Sequence, residues 1–236
     1  MKYFMCLVLI LFVGTVSAEI LFQDDFESGN IDESKWAPQG TWSIKANADG
    51  HDVLGNHVIE IQGGDVGLSV DDFPEEYDYY ADFKAMQNGL TGFVFHGSDA
   101  GNIYMHQVST SSSGHTPQHI RWHRRVNGGW AAEPGAFEDG VDREPDVWYR
   151  VKFEVRSGHS FKAYIGPVGG GIDELSFVSE WTDSQGAHSS GKIGFRKGGS
   201  EQAQYDNIII VTPDSNPTPV ESKGKAAVTW GDLKRK

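Results

Sequence analysis

The chain has 236 residues, and its 33 acidic residues outnumber its 20 lysines and arginines, which gives a formal net charge of −13 at pH 7. A charge of this sign argues against nucleic acid or an anionic membrane as a partner. Glycine contributes 29 residues and aromatic residues 12% of the chain, a composition typical of many short strands joined by tight turns. No run of ten residues combines helical periodicity with end caps, so we predict an all-β protein.

The first eighteen residues, MKYFMCLVLILFVGTVSA, have the pattern of a signal peptide. Lys2 supplies the positive end, residues 5–13 the apolar segment, and the small residues up to Ala18 the cleavage site. The apolar segment is too short to span a bilayer. Cys6 is the only cysteine, so a chain cleaved before Glu19 has neither disulfides nor thiol chemistry. We expect a secreted or periplasmic protein that does not span a membrane.

Residues 19–213 are predicted to form one domain, and residues 214–236 a flexible linker with a basic tail. The tail could contact a partner or the cell envelope through Trp230. Residues 147–156 alternate most clearly, and their charged side chains are expected to point outward. The apolar residues expected to point inward from this strand are Tyr149, Val151, Phe153 and Val155. Four tryptophans are assigned to the core: Trp36, Trp42, Trp148 and Trp181.

Residues 77–126 are predicted to form four consecutive strands of one sheet. Asn88-Gly89 is a hairpin signal between the first two strands. Alternation assigns one set of side chains to the core: Tyr79, Ala81, Phe83, Ala85, Phe93, Phe95, Ile103, Met105, Ile120, Trp122 and Val126. The opposite face then exposes Asp82, His96, Tyr104, His106, Arg121 and His123 to water, and hairpin counting places Asp82 opposite His96 and His96 opposite Tyr104.

Histidine, tyrosine and arginine on one exposed face provide the hydrogen-bond donors and ring surfaces that sugars require. The simpler interpretation is the ordinary polar face of a half-exposed sheet. The predicted ligand-binding residues are Tyr80, His96, Tyr104, His106, Arg121, His123, Trp130 and Arg196. Trp130 belongs to a loop rich in Gly and Pro, where packing against the loop is the alternative role.

The order of several motifs resembles the concanavalin A-like, laminin-G-like jelly rolls, which include the 3-keto-disaccharide hydrolases. These motifs are DDFESG with a following tryptophan, GTWSI, FVFHGSDAGNIYMHQV, RWHRRVNGGW, VWYRVKFEV, GKIGFRKGG and YDNIIIV, and they cover residues 19–212. The resemblance implies two antiparallel sheets packed face to face, one of them concave, with a sugar bound across the concave face in many members. The Glu-x-Asp-x-x-Glu strand of the related glucanases is absent from the sequence, which disfavours hydrolysis by that route.

Three functions remain open from the sequence. The first is a carbohydrate-binding domain that holds a glycan on its concave sheet. The second is a glycoside-cleaving enzyme in which Asp82 orients His96 for general acid–base catalysis. The third is a protein–protein adhesion module whose contacts lie in loops such as residues 128–146.

The resemblance also implies a structural calcium ion near the paired first and last strands. The hard oxygen ligands available there are Asp24, Asp25, Glu27 and Asp206. The alternative is that these acids only end strands and cap turns. A zinc site built from His96, His106 and His123 is disfavoured because these three histidines lie on three different predicted strands rather than closely spaced on one element. No cofactor is expected to be required.

Overall fold

The structure is a computed structural model that describes residues 19–86, 89–111, 120–131, 143–169 and 171–215. These ranges contain fifteen strands and two short 3-10 segments, Asp52–Leu54 and Ile172–Glu174. The strands are β1 Ile20–Asp24, β2 Trp36–Ala37, β3 Thr41–Ala46, β4 His57–Gln62, β5 Asp65–Ser69, β6 Tyr77–Ala85, β7 Leu90–Asp99, β8 Asn102–Ser109, β9 Ile120–Val126, β10 Gly129–Ala131, β11 Trp148–Arg156, β12 Ser160–Pro167, β13 Ser176–Thr182, β14 Lys192–Lys197 and β15 Gln202–Val211.

The expected signal peptide and residues 216–236 of the expected tail lie outside the described residues. In the described part of the chain, no helix has the length and apolar character needed to cross a membrane.

The strands form two antiparallel sheets, which confirms the predicted all-β sandwich. The eight-stranded sheet has the order β13-β12-β11-β6-β15-β4-β3, with β1 also paired to β15. The seven-stranded sheet has the order β10-β9-β8-β7-β14-β5-β2. Aromatic rings fill the space between them: Phe93 and Phe95 of β7 lie 5.1 and 4.9 Å, between ring centroids, from Phe153 of β11.

Residues 77–126 do not form one meander, and this prediction is wrong. Strand β6 lies in the eight-stranded sheet between β11 and β15, whereas β7 to β10 belong to the other sheet. All nine residues of β6 are buried, so this strand needs neighbours that cover both of its faces. Of the Asn88-Gly89 pair, only Gly89 is described. The observed hairpin turn is Asn127-Gly128, between β9 and β10, where φ values of 50° and 81° match a type I′ turn.

The predicted outward directions of His96, Tyr104 and His106 are also wrong. His96 has a φ of 46° at a register shift in β7, so both Phe95 and His96 face the space between the sheets. Tyr104 and His106 of β8 point the same way, with 0% of each residue exposed. A bulge changes which side chains reach each face, because strand side chains alternate.

The outer face of the seven-stranded sheet carries an apolar cluster of its own. Its members are Val66, Leu68, Val94, Ile103 and Met105. Ile103 and Met105 had been assigned to the space between the sheets, so β8 is inverted relative to the prediction. Both faces of β8 are buried, and hydropathy alone therefore cannot choose between them.

The other strand directions agree with the alternation pattern. Tyr149 packs against the main core, as predicted. The residues predicted to be internal that belong to this core are Tyr79, Ala81, Phe83, Ala85, Phe93, Phe95, Trp122, Val151, Phe153, Val155, Trp36, Trp42 and Trp181. Trp148 is buried in a separate cluster with Leu54 and Val58. Val126, predicted to be internal, is 39% exposed at the end of β9.

A buried carboxylate links the two sheets. Asp183, just after β13, accepts hydrogen bonds from Tyr104 Oη at 2.6 Å and from Arg124 Nη1 at 2.5 Å. Only 3% of Asp183 and 4% of Arg124 are exposed. The backbone N–H groups of Gln185 and Ala187 donate to the same carboxylate. The inward direction of Arg124 is thus fixed from the opposite sheet.

Two adjacent arginines of β9 allow a matched test of this link. Asp183→Ala leaves Arg124 buried without its carboxylate and should lower the free energy of unfolding by about 3–5 kcal/mol. Asp65→Asn, which tolerates the φ of 63° at this position, removes the charge that pairs with Arg125; the Asp65 side chain is 48% exposed, and the change should cost about 1 kcal/mol or less. Urea denaturation of both variants measures the difference. Equal losses would contradict the central role of Asp183.

Candidate functional site

The candidate site lies on the outer face of the seven-stranded sheet. We call it the arginine face and define it by Arg121, His123, Arg125, Trp130 and Arg196. The indole of Trp130 is its centre, and 41% of this residue is exposed. The Arg125 Cζ lies 4.9 Å from the indole centroid, the Arg196 Cζ 5.9 Å, and the His123 ring centroid 5.3 Å. Each approach is within the range of an aromatic contact.

The hairpin from β9 to β10 positions Trp130. The Asn127-Gly128 turn folds β10 back so that Trp130 pairs with Arg125. Arg125 then fixes the turn, because its Nε donates to the Gly128 carbonyl at 3.2 Å and its Nη1 to the Ala100 carbonyl at 2.9 Å. Its Nη1 also lies 2.7 Å from Asp65 Oδ2. These contacts hold the tryptophan against the sheet rather than leaving it in a free loop.

Arg196 reaches Trp130 from a distant strand. Three strands separate β14 from β10, about 19 Å at the usual strand spacing. Contact between two side chains across this distance is expected of a face that curves inward. Gly92, between them in the sheet, leaves the necessary space, since a Cβ there would lie 3.2 Å from the Arg196 Cβ and 2.6 Å from the Met105 Sδ.

The arginine face has an apolar floor. The outer-face cluster of the seven-stranded sheet is 0–8% exposed, and its members occupy the same face as Arg121, His123, Arg125 and Arg196. An exposed indole beside guanidinium and imidazole groups can stack on an apolar ring face while donating hydrogen bonds to oxygen atoms. The arrangement suits a ligand that is apolar on one side and rich in oxygen elsewhere.

Half of the predicted ligand-binding residues meet on this face: Arg121, His123, Trp130 and Arg196. Tyr80 lies instead on the outer side of the eight-stranded sheet, where it is 5% exposed and its hydroxyl donates to the Ser215 carbonyl at 3.3 Å. His96, Tyr104 and His106 lie between the sheets. The prediction of one continuous surface is therefore wrong for these four residues, because it placed β6 beside β7 and gave β8 the opposite orientation.

The interior histidines are structural in their contacts. The His96 ring packs 5.7 Å from Tyr77 and 6.1 Å from Phe161, and its Nδ1 donates to the His188 carbonyl at 3.3 Å. Burial lowers the pKa of His96 to about 4. Burial also lowers the pKa of His106 well below its ordinary range. Both rings are therefore neutral at pH 7 and fill the core.

Asp82 and His96 do not form the predicted cross-strand pair. Asp82 lies opposite Arg150 and Asp206 in the eight-stranded sheet. Arg150 donates from Nε and Nη2 to the two carboxylate oxygens, each at 2.7 Å, and the Asn207 side chain donates at 2.8 Å. His96 belongs to the other sheet. The proposed acid–base pair is absent because its two strands are not neighbours.

The four acids predicted to bind calcium do not converge as a set. Asp24 accepts hydrogen bonds from the Trp36 indole at 2.8 Å and from the Phe26 N–H at 3.1 Å. Glu27 Oε1 accepts from the N–H groups of Asn56 and His57, both at 2.7 Å. The described residues contain no group of three acid or histidine side chains placed to hold an ion.

Asp206 is the exception among these acids. It is 0% exposed, and its Oδ2 has no hydrogen-bond partner among the described residues. Burial raises its pKa to about 10, with smaller contributions from the charges of Asp82, Glu27 and Asp25. One oxygen ligand is therefore available at the expected position, with two of the predicted acids nearby.

The alternation that predicts outward-facing Arg121 and His123 also places Arg125 on their face, but sequence reasoning gave Arg125 no role in the site. The signal was its alternation with Trp122 along β9. Its partner Asp65 is 60 residues away in the sequence, and alternation says nothing about contacts between distant strands.

Comparison with solved structures identifies the fold. The chain is similar to a protein of unknown function with a galectin-like fold from Bacillus subtilis, at 18% identity and a TM-score of 0.54, over 82% of this chain and 96% of that one. It is also similar to a protein of unknown function from Shewanella oneidensis MR-1, at 12% identity and a TM-score of 0.51, over 88% and 93% of the two chains. No protein-family model and no curated protein sequence matches the chain. The fold is a concanavalin A-like jelly roll, as the sequence resemblance implied.

The burial of His96 predicts sensitivity to acid. Between pH 6.5 and pH 4 the unfolded chain binds a proton at His96 and the folded protein does not, so this residue should lower the free energy of unfolding by about 3 kcal/mol as pH falls to 4. His96→Asn, which tolerates the positive φ, should lack this part of the pH dependence. Urea denaturation at pH 7 and pH 4 measures it, and equal acid losses in both proteins would contradict the assignment.

Proposed function

We propose that this protein is an exported saccharide-binding domain and that the arginine face holds the ligand. The observation that carries the proposal is Trp130, an exposed indole contacted by two guanidinium groups above an apolar floor. Sugars have apolar ring faces and hydroxyl-rich edges, so an aromatic platform beside hydrogen-bond donors complements them. Export follows from the pattern of residues 1–18 and would bring this face into contact with polysaccharide outside the cytoplasm.

The charges on the face support binding rather than hydrolysis. Glycoside cleavage commonly needs two carboxyl groups that flank the bond. Among the described residues, two carboxylates pair with the arginines of this face. Asp65 lies 2.7 Å from Arg125, and Glu201 lies 3.1 Å from Arg196. Both are held by arginines and are placed to orient those cations.

Two exposed aromatic residues on opposite sheets allow a controlled test. Trp130→Ala should weaken saccharide binding by about 2 kcal/mol, close to thirtyfold, because it removes the stacking platform. Phe177→Ala removes a ring that is 53% exposed on β13 of the other sheet, and it should leave binding unchanged. A glycan array selects the saccharide, and isothermal titration calorimetry then measures both variants.

Equal loss in the two variants, or no loss in Trp130→Ala, would overturn the location of the site. If the array shows no saccharide bound by the folded protein, the proposed function fails, and protein–protein adhesion through residues 128–146 becomes the function to examine. Residues 132–142 of that loop lie outside the described part of the chain.

We also propose a stabilising calcium ion at Asp206, separate from the arginine face. Its support is the buried Oδ2 without a hydrogen-bond partner among the described residues. A calcium ion that displaces the proton held there would gain this oxygen as a ligand. Millimolar calcium should raise the melting temperature relative to chelator, because the ion would bind only the folded state. Asp206→Asn should abolish the difference. Identical melting curves of the unaltered protein in calcium and in chelator would remove this proposal.

A further inference from the structure

Arg121 has no carboxylate partner among the described residues, unlike most of the arginines there. Among the described residues, five arginines lie within 4.0 Å of an acidic side chain: Arg124, Arg125, Arg150, Arg156 and Arg196. Arg121 has no such partner in these ranges. Its Nε is buried without a hydrogen-bond partner, although the residue as a whole remains partly exposed. A partly desolvated cation without a counter-charge is costly to the folded protein.

The surroundings of Arg121 are positive, in contrast to the chain as a whole. The arginine face has three guanidinium groups, and Asp65 and Glu201 are the described acids paired with them. Both acids are engaged by Arg125 or Arg196, so none of the acids in the described part of the chain pairs with Arg121. A chain of net charge −13 therefore presents a local cation where an anionic ligand would be attracted and correctly oriented.

The contacts of Trp130 point in the same direction. Two guanidinium groups already lie within 6 Å of its ring centroid, so a sugar that stacks there also meets planar N–H donors. Guanidinium groups bind carboxylate and sulfate oxygens in pairs, with charge-assisted hydrogen bonds stronger than those to neutral hydroxyls. These neighbours favour an acidic sugar over a neutral one.

The spacing along β9 sets the size of the ligand. Arg121, His123 and Arg125 point to the same side of the strand, so Arg121 and Arg125 are separated by about 13 Å. Trp130 pairs with Arg125, and Gln107 of β8 lies opposite Arg121. A ligand that contacts both ends must be longer than one sugar ring.

We infer that the arginine face binds an anionic oligosaccharide, with one sugar ring on Trp130 and an acidic group of a neighbouring sugar on Arg121. The acidic group is a carboxylate or a sulfate ester, which share the oxygen geometry that a guanidinium recognises. This inference rests on the proposed saccharide binding and specifies its ligand class.

Three oligosaccharides of similar length separate the alternatives by calorimetry: an oligogalacturonide, its methyl ester and a sulfated galactan fragment. The methyl ester keeps the sugar rings of the acid and removes only the charge. We expect the acid or the sulfated fragment to bind at least about tenfold more tightly than the methyl ester, and the stronger of the two identifies the acidic group. Arg121→Gln should reduce this preference by about tenfold.

Lys45→Gln is the control. It also removes one positive charge, but from β3 of the other sheet, where the Lys45 side chain is 46% exposed. Its affinity for the acidic ligand should equal that of the unaltered protein. If the two variants lose affinity equally, the effect is a general one of net charge, and the role of Arg121 is overturned.

The outcomes separate this inference from the proposed function. If the methyl ester binds as tightly as the acid and the sulfated fragment, the anionic ligand is overturned while saccharide binding stands. If none of the three binds and the array shows no other saccharide bound, both fail. A melting curve of each variant establishes that it is folded before its binding is measured.

Discussion

The carboxylate of Asp183 is the contact on which the geometry of the arginine face depends. It lies at the end of a strand of the eight-stranded sheet and binds Tyr104 and Arg124 of the other sheet. Burial would raise its pKa, but hydrogen bonds from Tyr104 and two backbone N–H groups, together with the charge of Arg124, outweigh burial and hold the pKa below its usual value. Because strand side chains alternate, an inward Arg124 requires Arg121, His123 and Arg125 to face outward.

The two sheets use charge in different ways. On the eight-stranded sheet, basic side chains cover buried acids: Arg150 binds Asp82, while Lys152 and Arg156 bind Asp78. These pairs neutralise one another and close that surface. On the outer face of the seven-stranded sheet, Arg125 and Arg196 contact Trp130, and their acidic partners Asp65 and Glu201 are 48% and 12% exposed. The same residue type therefore closes the outer surface of one sheet through ion pairs with buried acids and surrounds an exposed indole on the other.

Much of the fold could be predicted from hydropathy, and the failures have a common cause. Alternation correctly oriented β11, because Val151 and Phe153 are buried while Arg150 faces outward. It failed for β8, where Met105 packs on one buried face and Tyr104 on the other. In β8, a hydrogen bond from Tyr104 to Asp183, 79 residues away, sets which side chains point between the sheets. Local pattern contains no information about that contact.

The Asn127-Gly128 turn also has a consequence for the order of folding. The hairpin that carries Trp130 closes through neighbours in the sequence, a process that takes about 1–10 μs in isolated hairpins. The contacts that attach this hairpin to the sheet join residues far apart: Arg125 with Asp65 across 60 positions, and Arg124 with Asp183 across 59. Contacts of this length form slowly, because long loops must close first. Trp130 therefore acquires its local partner Arg125 early and its neighbours from distant strands late, so the emission of this indole would report the last stage of assembly.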